Sequence, residues 1–428
     1  MASEPATAEL TAGDLVELDV GPVAHGGFCV ARHEGRVVFV RHTLPGERIR
    51  AQVTEARPGH RFARADCVEV LTPSPHRVPA PCPYAGPGLC GGCDWQHADL
   101  AYQRELKAAV VREQFTRLAG IEVDVQVEPV PGDHDGLGWR TRVEFAVDTS
   151  GRAGLREHRS HAVVPVQTCL ISDPRVLATG VLTGDWSGHD AVDVVAPSAG
   201  DPVTVPLPAS PDAVPTVTEH LAGQRYSADF EVAARGFWQV HPGAAATFVD
   251  TVLDLLDPQP GETALDLYAG VGLFAAALAS AVGDAGRVVA VESDASAVAC
   301  AAGNLAAYPS VVAVRARVDD AFGVPRASRS GPAPRRAQRP RKLRRHPLMP
   351  LRADLVVLDP PRTGAGRGVV AQVTALEPRA VAYVACDPAA LARDTAYLRE
   401  GGYHLRELRA FDAFPMTAHL ECIAVFGR

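Results

Sequence analysis

Cys386 stands between the apolar run AVAYVA and the segment DPAALARD, so a thiol is carried at the junction of a strand and a helix. Asp387 can cap that helix and Pro388 suits its first turn. The thiol then sits just before a helix N-terminus, whose partial positive charge favours a thiolate. A similar polar step, Asp359-Pro360-Pro361-Arg362, closes the apolar run DLVVL. Short apolar runs flanked by helical pattern read as buried parallel strands. In such a sheet, chemistry gathers at the carboxyl ends of the strands, where both steps fall. A lone cysteine is more often a small buried hydrophobe than a nucleophile. The position at the turn, and the company it keeps, favour the nucleophile here.

Nine cysteines, an odd number in a long chain, argue for metal or catalysis rather than a disulfide framework. Cys90 and Cys93 form a C-x-x-C pair, and Cys82 lies eight residues upstream. The two glycines between the pair leave the backbone free to fold around a metal and to direct N–H groups at the thiolates. The fourth ligand must come from afar: Cys169 in PVQTCLISDP is the first choice, with Cys67 and His97 behind it. A four-cysteine zinc site and an iron–sulfur cluster both fit this pattern.

These groups need scaffolds to hold them. The 428 residues suit two or three domains, with 47% hydrophobic residues to build their cores. Closely spaced alternating strands over about 14–69 predict a small β-barrel. The stretch TPSPHRVPAP marks a boundary, and DLAYQRELKAAVVREQFTRLAG predicts an amphipathic helix closed by Gly120. Residues 126–227 predict a mixed or antiparallel sheet, with 183–223 giving little pattern to read. From 235 onward, strands and helices alternate as in a parallel α/β domain. The start, MASEPATAEL, lacks the pattern of a leader, and no apolar stretch is long enough to span a bilayer. The expectation is a soluble, cytoplasmic protein without a membrane partner, acting as a monomer.

The net charge is −8, yet ten basic residues and no acidic one fall within 326–352. That composition predicts a disordered insert, equally suited to a passenger loop or an RNA-gripping arm. Gly270-Val271-Gly272 followed by Ala275 nearly matches a dinucleotide fingerprint, with Glu292 about twenty residues on. Taken alone, the turn fits a nicotinamide-dependent dehydrogenase. The rest of the domain separates the two readings. Asp266, Glu292, the pair Asp319-Asp320 and Asp359 close successive strands, a series that resembles class I (Rossmann-like) S-adenosylmethionine methyltransferases. The resemblance implies that Glu292 holds the ribose hydroxyls, Tyr268 lines the pocket beside Gly270, and Asp319 or Asp320 approaches the adenine.

In this fold the last strand runs antiparallel after a hairpin. YHLRELRAFD and LECIAVF would then be the sixth and seventh strands, which brings Glu421 to the edge where Cys386 lies. VAHGGFCVARHEGRVVFVRHTLPGERIR resembles a TRAM domain, an OB-like RNA-binding barrel, with Arg32, Arg36, Arg41, Arg48 and Arg50 available to phosphates. DLYAGVGLF, DPPRTG, YVACDPAALARD and FPMTAHLE together resemble the RNA uridine-5-methyltransferases that make 5-methyluridine in tRNA and 23S rRNA. That resemblance implies Cys386 as nucleophile and Glu421 as base, with Gln239 and Asp359 between cofactor and uracil. It also implies a [4Fe–4S] cluster on Cys82, Cys90, Cys93 and Cys169. His241 stands where many members carry asparagine, and Ala269 replaces a common cysteine. The implied organisation is a barrel at 1–73, a central domain with the cluster at 74–232, and the methyltransferase domain at 233–428 with the basic insert 324–352. A non-catalytic RNA-binding protein and an N-methyltransferase acting on adenine or guanine are the remaining alternatives.

Overall fold

The computed structural model describes residues 10–57, 59–325 and 344–428. Most of the basic insert expected at 324–352 lies outside the described residues. Strands β1 (Leu15–Val23), β2 (Cys29–His33), β3 (Arg36–Arg41), β4 (Arg48–Ala56) and β5 (Phe62–Thr72) close into a barrel in the order β1-β2-β3-β5-β4. Alternation along each strand sends Val16, Leu18, Val38, Val40, Ile49, Ala63 and Ala65 inward. At the rim, buried Glu47 accepts hydrogen bonds from Thr43 Oγ1, the N–H groups of Leu44 and Ser74, and Arg77 Nε. The barrel thereby clamps the proline-rich segment that leaves it.

Helix α1 (Leu100–Gln114) starts at Asp99, whose carboxylate accepts from the Tyr102 N–H. It ends in a π-turn closed by Gly120 in the left-handed conformation that a C-cap requires. β6 (Val127–Pro129) follows. Then β7 (Arg142–Val147), β8 (Ala153–Arg156), β9 (Val163–Pro165), the short α2 (Pro174–Ala178), β10 (Ala191–Val195) and β11 (Val203–Leu207) build a sheet ordered β11-β10-β7-β8-β9. Every pairing in it is antiparallel, so this sheet is not mixed. β12 (Thr216–Ala222) and β13 (Ser227–Ala233) form a hairpin.

The last part of the chain alternates α3 (Ala244–Leu256), β14 (Thr263–Leu267), α4 (Leu273–Val282), β15 (Arg287–Glu292), α5 (Ala295–Asn304), β16 (Val311–Arg315), α6 (Val318–Phe322), β17 (Leu355–Leu358), α7 (Gly366–Ala375), β18 (Ala380–Ala385), α8 (Pro388–Glu400), β19 (His404–Asp412) and β20 (Glu421–Gly427). The sheet order is β16-β15-β14-β17-β18-β20-β19-β6. β14 to β18 pair in parallel, and β20 inserts antiparallel between β18 and β19, as the hairpin expectation required. Both faces are covered. Leu355 and Val357 pack towards α3 and α4, whereas Val356 and Leu358 pack towards α1, α7 and α8. That is why these strands read as unbroken apolar runs.

One strand of this sheet was not foreseen. β6, from the stretch assigned to the central domain, lies parallel to β19 and completes the catalytic sheet, with Glu128 paired to Arg409. Among the described residues, no helix is long and apolar enough to cross a membrane.

Candidate active site and cysteine cradle

The parallel order reverses at β14, and the carboxyl ends of β14, β15, β17 and β18 open onto one crevice. After β14 the chain turns through Tyr268, Gly270 and Gly272, all at positive φ, before α4 begins. Buried Asp266 pins this turn: its Oδ2 accepts the Ala275 N–H at 2.8 Å, while Oδ1 has no partner among the described residues. Burial raises the Asp266 carboxyl to about 8. The Gly270 N–H donates to Glu292 Oε2 at 3.0 Å, so the glycine turn and the acid closing β15 form one unit. The other Glu292 oxygen accepts from the N–H groups of Ser293 and Asp294. Asp319 and Asp320 open α6, and the charge of Asp319 is felt at Tyr268. A left-handed turn and a carboxylate at adjacent strand ends suit a nucleoside bearing vicinal hydroxyls.

Cys386 and Glu421 come together through sheet register. Ala385 pairs with Cys422 in the antiparallel ladder, so the next residues outward, Cys386 and Glu421, face each other across the edge. Asp359 closes the adjoining β17, and Arg362 follows it. Burial drives the Glu421 carboxyl well above its usual range; Asp359 adds to this and Arg362 opposes it. Asp359 itself is raised by burial to about 7.

The thiol differs from expectation. Cys386 is pushed up to about 12, by burial first and then by Glu421, Asp359 and Asp387, against Arg362. Burial and the carboxylates of Glu421 and Asp359 outweigh the helix N-terminus, and Asp387, whose Oδ1 takes the Ala390 N–H at 2.7 Å, adds its own negative charge. Burial and the surrounding carboxylates thus favour the thiol over the thiolate in the absence of substrate.

Two groups in this neighbourhood carried no sequence signal. His25, in the loop between β1 and β2, places Nε2 3.0 Å from Asp387 Oδ2, so the barrel touches the catalytic turn. The contact raises His25. Gly27 in that loop sits at φ +82°, and a side-chain carbon there would lie 2.6 Å from Ala418 Cβ, which leaves room for glycine alone. The second group is Lys107 of α1, fully buried, with Nζ 2.5 Å from Asp412 Oδ1 and 3.0 Å from the Phe414 carbonyl. Gln103 Oε1 takes the Met416 N–H. Together they hold the loop that delivers Glu421.

Gln239 is buried in the turn before α3 and lines a cavity of about 350 Å³ with Thr141, Arg175, Glu219, Pro242 and Asp250. Neither Cys386 nor Asp359 lines that cavity. His241 stacks on Trp139 and is lowered by its burial, with Asp133 and Asp412 opposing.

The cysteines of the central part gather behind the Glu421 loop. Cys93 packs against Cys169, Trp139 and Met416. Cys82, Cys90 and Cys93 each respond to the charge of Cys169, and burial raises all three. Hydrogen-bond donors are aimed at the sulfurs: Gln96 Nε2 at Cys93 Sγ, 3.2 Å, and the Gly92 N–H at Cys90 Sγ, 3.4 Å. Gly91 is obligatory, since a side-chain carbon there would fall 2.5 Å from the His158 backbone. Cys67 and His97 instead line a cavity of about 500 Å³ beside the barrel, with His42 and Arg77. Among the described residues, no three His, Cys, Asp or Glu side chains are grouped so as to hold a metal ion.

The strand order, the glycine turn and the acids closing successive strands define a class I S-adenosylmethionine-dependent methyltransferase. Comparison with known proteins carries this further. The profile of the tRNA (uracil-5-)-methyltransferase family matches residues 214–428, and that of the TRAM domain matches 9–68. An uncharacterized RNA methyltransferase of Streptomyces avermitilis is 47% identical, covering 96% of this chain and 98% of its own. The 23S rRNA (uracil(1939)-C(5))-methyltransferase of Acidithiobacillus ferrooxidans is 31% identical over 93% of this chain and 94% of its own. In fold, the chain is similar to Pyrococcus abyssi tRNA (uracil-54, C5)-methyltransferase in complex with S-adenosyl-L-homocysteine: TM-score 0.64 and 20% identity, covering 96% of this chain and 100% of that one. The chain belongs to the tRNA (uracil-5-)-methyltransferase family and is an S-adenosylmethionine-dependent RNA (uracil-C5-)-methyltransferase with an N-terminal TRAM barrel.

Proposed function

We propose that this enzyme methylates C5 of a uridine in ribosomal or transfer RNA through a covalent bond between Cys386 and C6. The observation that carries the reading is the register Ala385↔Cys422, which sets a thiol and a carboxylate opposite each other at the mouth of the crevice. C5 of uracil is a weak nucleophile. Addition of the Cys386 sulfur to C6, as its proton passes to solvent, leaves an enolate whose C5 is electron-rich. S-adenosylmethionine supplies the methyl group that this carbon takes. Glu421, ionised when it acts and made a stronger base by burial, removes the C5 proton. The C6–S bond then breaks and the uracil double bond is restored. Gln239 and Asp359 orient cofactor and base, and the target uridine leaves its stack to reach the crevice. Tyr268, Gly270, Glu292, Asp319 and Asp320 form the cofactor site. The work divides among a barrel at 1–73, a central part at 74–232 and the catalytic part at 233–428.

We also infer a [4Fe–4S] cluster on Cys82, Cys90, Cys93 and Cys169. Three thiols that feel the charge of Cys169, with N–H donors aimed at two of them, Cys90 and Cys93, support it. Bound there, the cluster would tie the 82–93 segment to Cys169 behind the Glu421 loop.

Opposite failures of two variants test the mechanism. Cys386→Ala should bind RNA and cofactor yet form no adduct and transfer no methyl. Glu421→Gln should add, accept the methyl and then stall, leaving a methylated protein–RNA adduct that survives denaturing electrophoresis. Methyl transfer by Cys386→Ala would end the covalent reading. Mass mapping of modified nucleotides with and without the gene identifies the RNA.

A further inference from the structure

The outward face of the barrel carries a feature that its fold does not need. Along β3 and β5, Val38, Val40, Ala63 and Ala65 point inward and fill the barrel. The alternate positions, Phe39, Phe62 and Arg64, point outward, where polar residues are the usual occupants. Phe39 lies edge-on between two other rings, 6.3 Å from Phe28 and 5.7 Å from Phe62. Phe62 is 37% exposed. The Arg64 guanidinium sits among the three rings, 5.0 Å from the centroid of Phe28, 5.5 Å from Phe62 and 5.9 Å from Phe39.

A second cation joins from another part of the chain. Arg159 stands 5.9 Å over Phe28, in a turn where it adopts φ +55°. Among the described residues Arg159 makes no ion pair, and Arg64 has only Glu55, 3.5 Å from Nε. The two guanidiniums are close enough for Arg159 to lower the proton affinity of Arg64, behind the larger effect of burial. The fold therefore holds two like charges over one exposed ring, Phe62, and two half-buried ones, Phe28 and Phe39, without neutralising both. Such a surface is complementary to a ligand that offers a flat π-face together with a negative charge.

The loop that supplies Phe28 also supplies His25, whose ring reaches Asp387 beside Cys386. The aromatic face and the catalytic turn are thus joined by one short hairpin.

We propose that Phe28, Phe39, Phe62, Arg64 and Arg159 form a stacking platform for an unpaired nucleotide of the RNA substrate that neighbours the target uridine. The proposal rests on the uridine-methylation reading and narrows it. The substrate must present the target in a single-stranded segment, with a further unpaired base that stacks on Phe62 while its phosphate meets Arg64 and Arg159.

The test measures affinity of the full-length protein for an unpaired oligoribonucleotide of about ten nucleotides carrying 2-aminopurine. The same sequence annealed into a duplex serves as the control, and binding is followed across a salt series. Phe62→Ala should weaken binding of the unpaired probe by about 5- to 150-fold, the loss of one base stack. Its salt slope should stay unchanged, and affinity for the duplex should hold. Phe62→Trp should restore affinity, which a ring serving only to pack the barrel would not achieve. Arg64→Gln should flatten the salt slope by about 0.7. Unchanged affinity in Phe62→Ala, or an equal loss on the duplex, would overturn the platform. This readout needs no methyl transfer. If the wild type made no 5-methyluridine, the functional reading would fall while the platform was still measured. If Phe62→Ala methylated RNA with wild-type KM, the platform would fall and the reading would stand.

Discussion

Lys107→Met removes one cation from the protein interior and has a consequence large enough to measure. Lys107 and Asp412 are almost completely buried, and the ammonium serves both Asp412 Oδ1 and the Phe414 carbonyl. Burial lowers the proton affinity of Lys107, and the carboxylate of Asp412 works to restore it. Methionine keeps most of the stem volume but leaves the carboxylate without its counter-charge, and Asp412 Oδ2 already has no hydrogen-bond partner. Breaking one side of a buried pair costs about 3–5 kcal/mol, a large part of the roughly 5–15 kcal/mol that holds a domain together. The melting temperature should fall on the order of 10 °C. Activity should fall further than folding requires, because the loop released is the one that presents Glu421. Calorimetry on Lys107→Met, Asp412→Leu and the double variant forms a closed cycle. The double variant should recover most of the loss, since an apolar pair of similar volume needs no counter-charge. A single variant as stable as the wild type, or a double variant no better than either single, would refute this account of the pair.

Without RNA, alkylation of Cys386 should accelerate about tenfold per pH unit from pH 7 to 10, since the thiol is pushed up to about 12 and only the thiolate reacts. A plateau near neutrality would show a preformed thiolate instead. Protein purified without oxygen should be brown and carry about four irons, the count that four thiolates would support. Cys169→Ser should lose them and Cys67→Ser should keep them; one tightly bound zinc in place of iron would overturn the assignment.

What sequence made legible was local pattern with a fixed period or a fixed cap. The two polar steps after DLVVL and AVAYVA mark strand ends, and the hairpin from β19 to β20 brings Glu421 to the edge that Cys386 occupies. Charge at the site was not legible. A helix N-terminus can be read from Asp387-Pro388, but the burial that outweighs it and the carboxylates of Glu421 and Asp359 come from elsewhere in the fold. β6 escaped because three residues ending in proline have no periodicity, and their partner lies far along the chain. His25 escaped for the same reason. β10, β11 and β12 are rich in Val and Thr, as strands prefer, but they are short and lie among proline and glycine turns whose partners the local pattern does not reveal.

The seam between β6 and β19 also sets a timetable for synthesis. Glu128 and its partner Arg409 are 281 residues apart, so at about 5–20 residues per second the ribosome needs about 14–56 s to make the second after the first. For most of that interval, until the sheet strands and α8 emerge, the apolar side formed by Val111 of α1 and Phe115 of the π-turn after it lacks its cover. The barrel can close as soon as its own strands emerge, because all its pairings fall within the first 72 residues. The middle of the nascent chain must instead wait for its C-terminus. A fragment ending at 232 would carry that uncovered surface permanently, and should need a chaperone or aggregate where the whole chain folds.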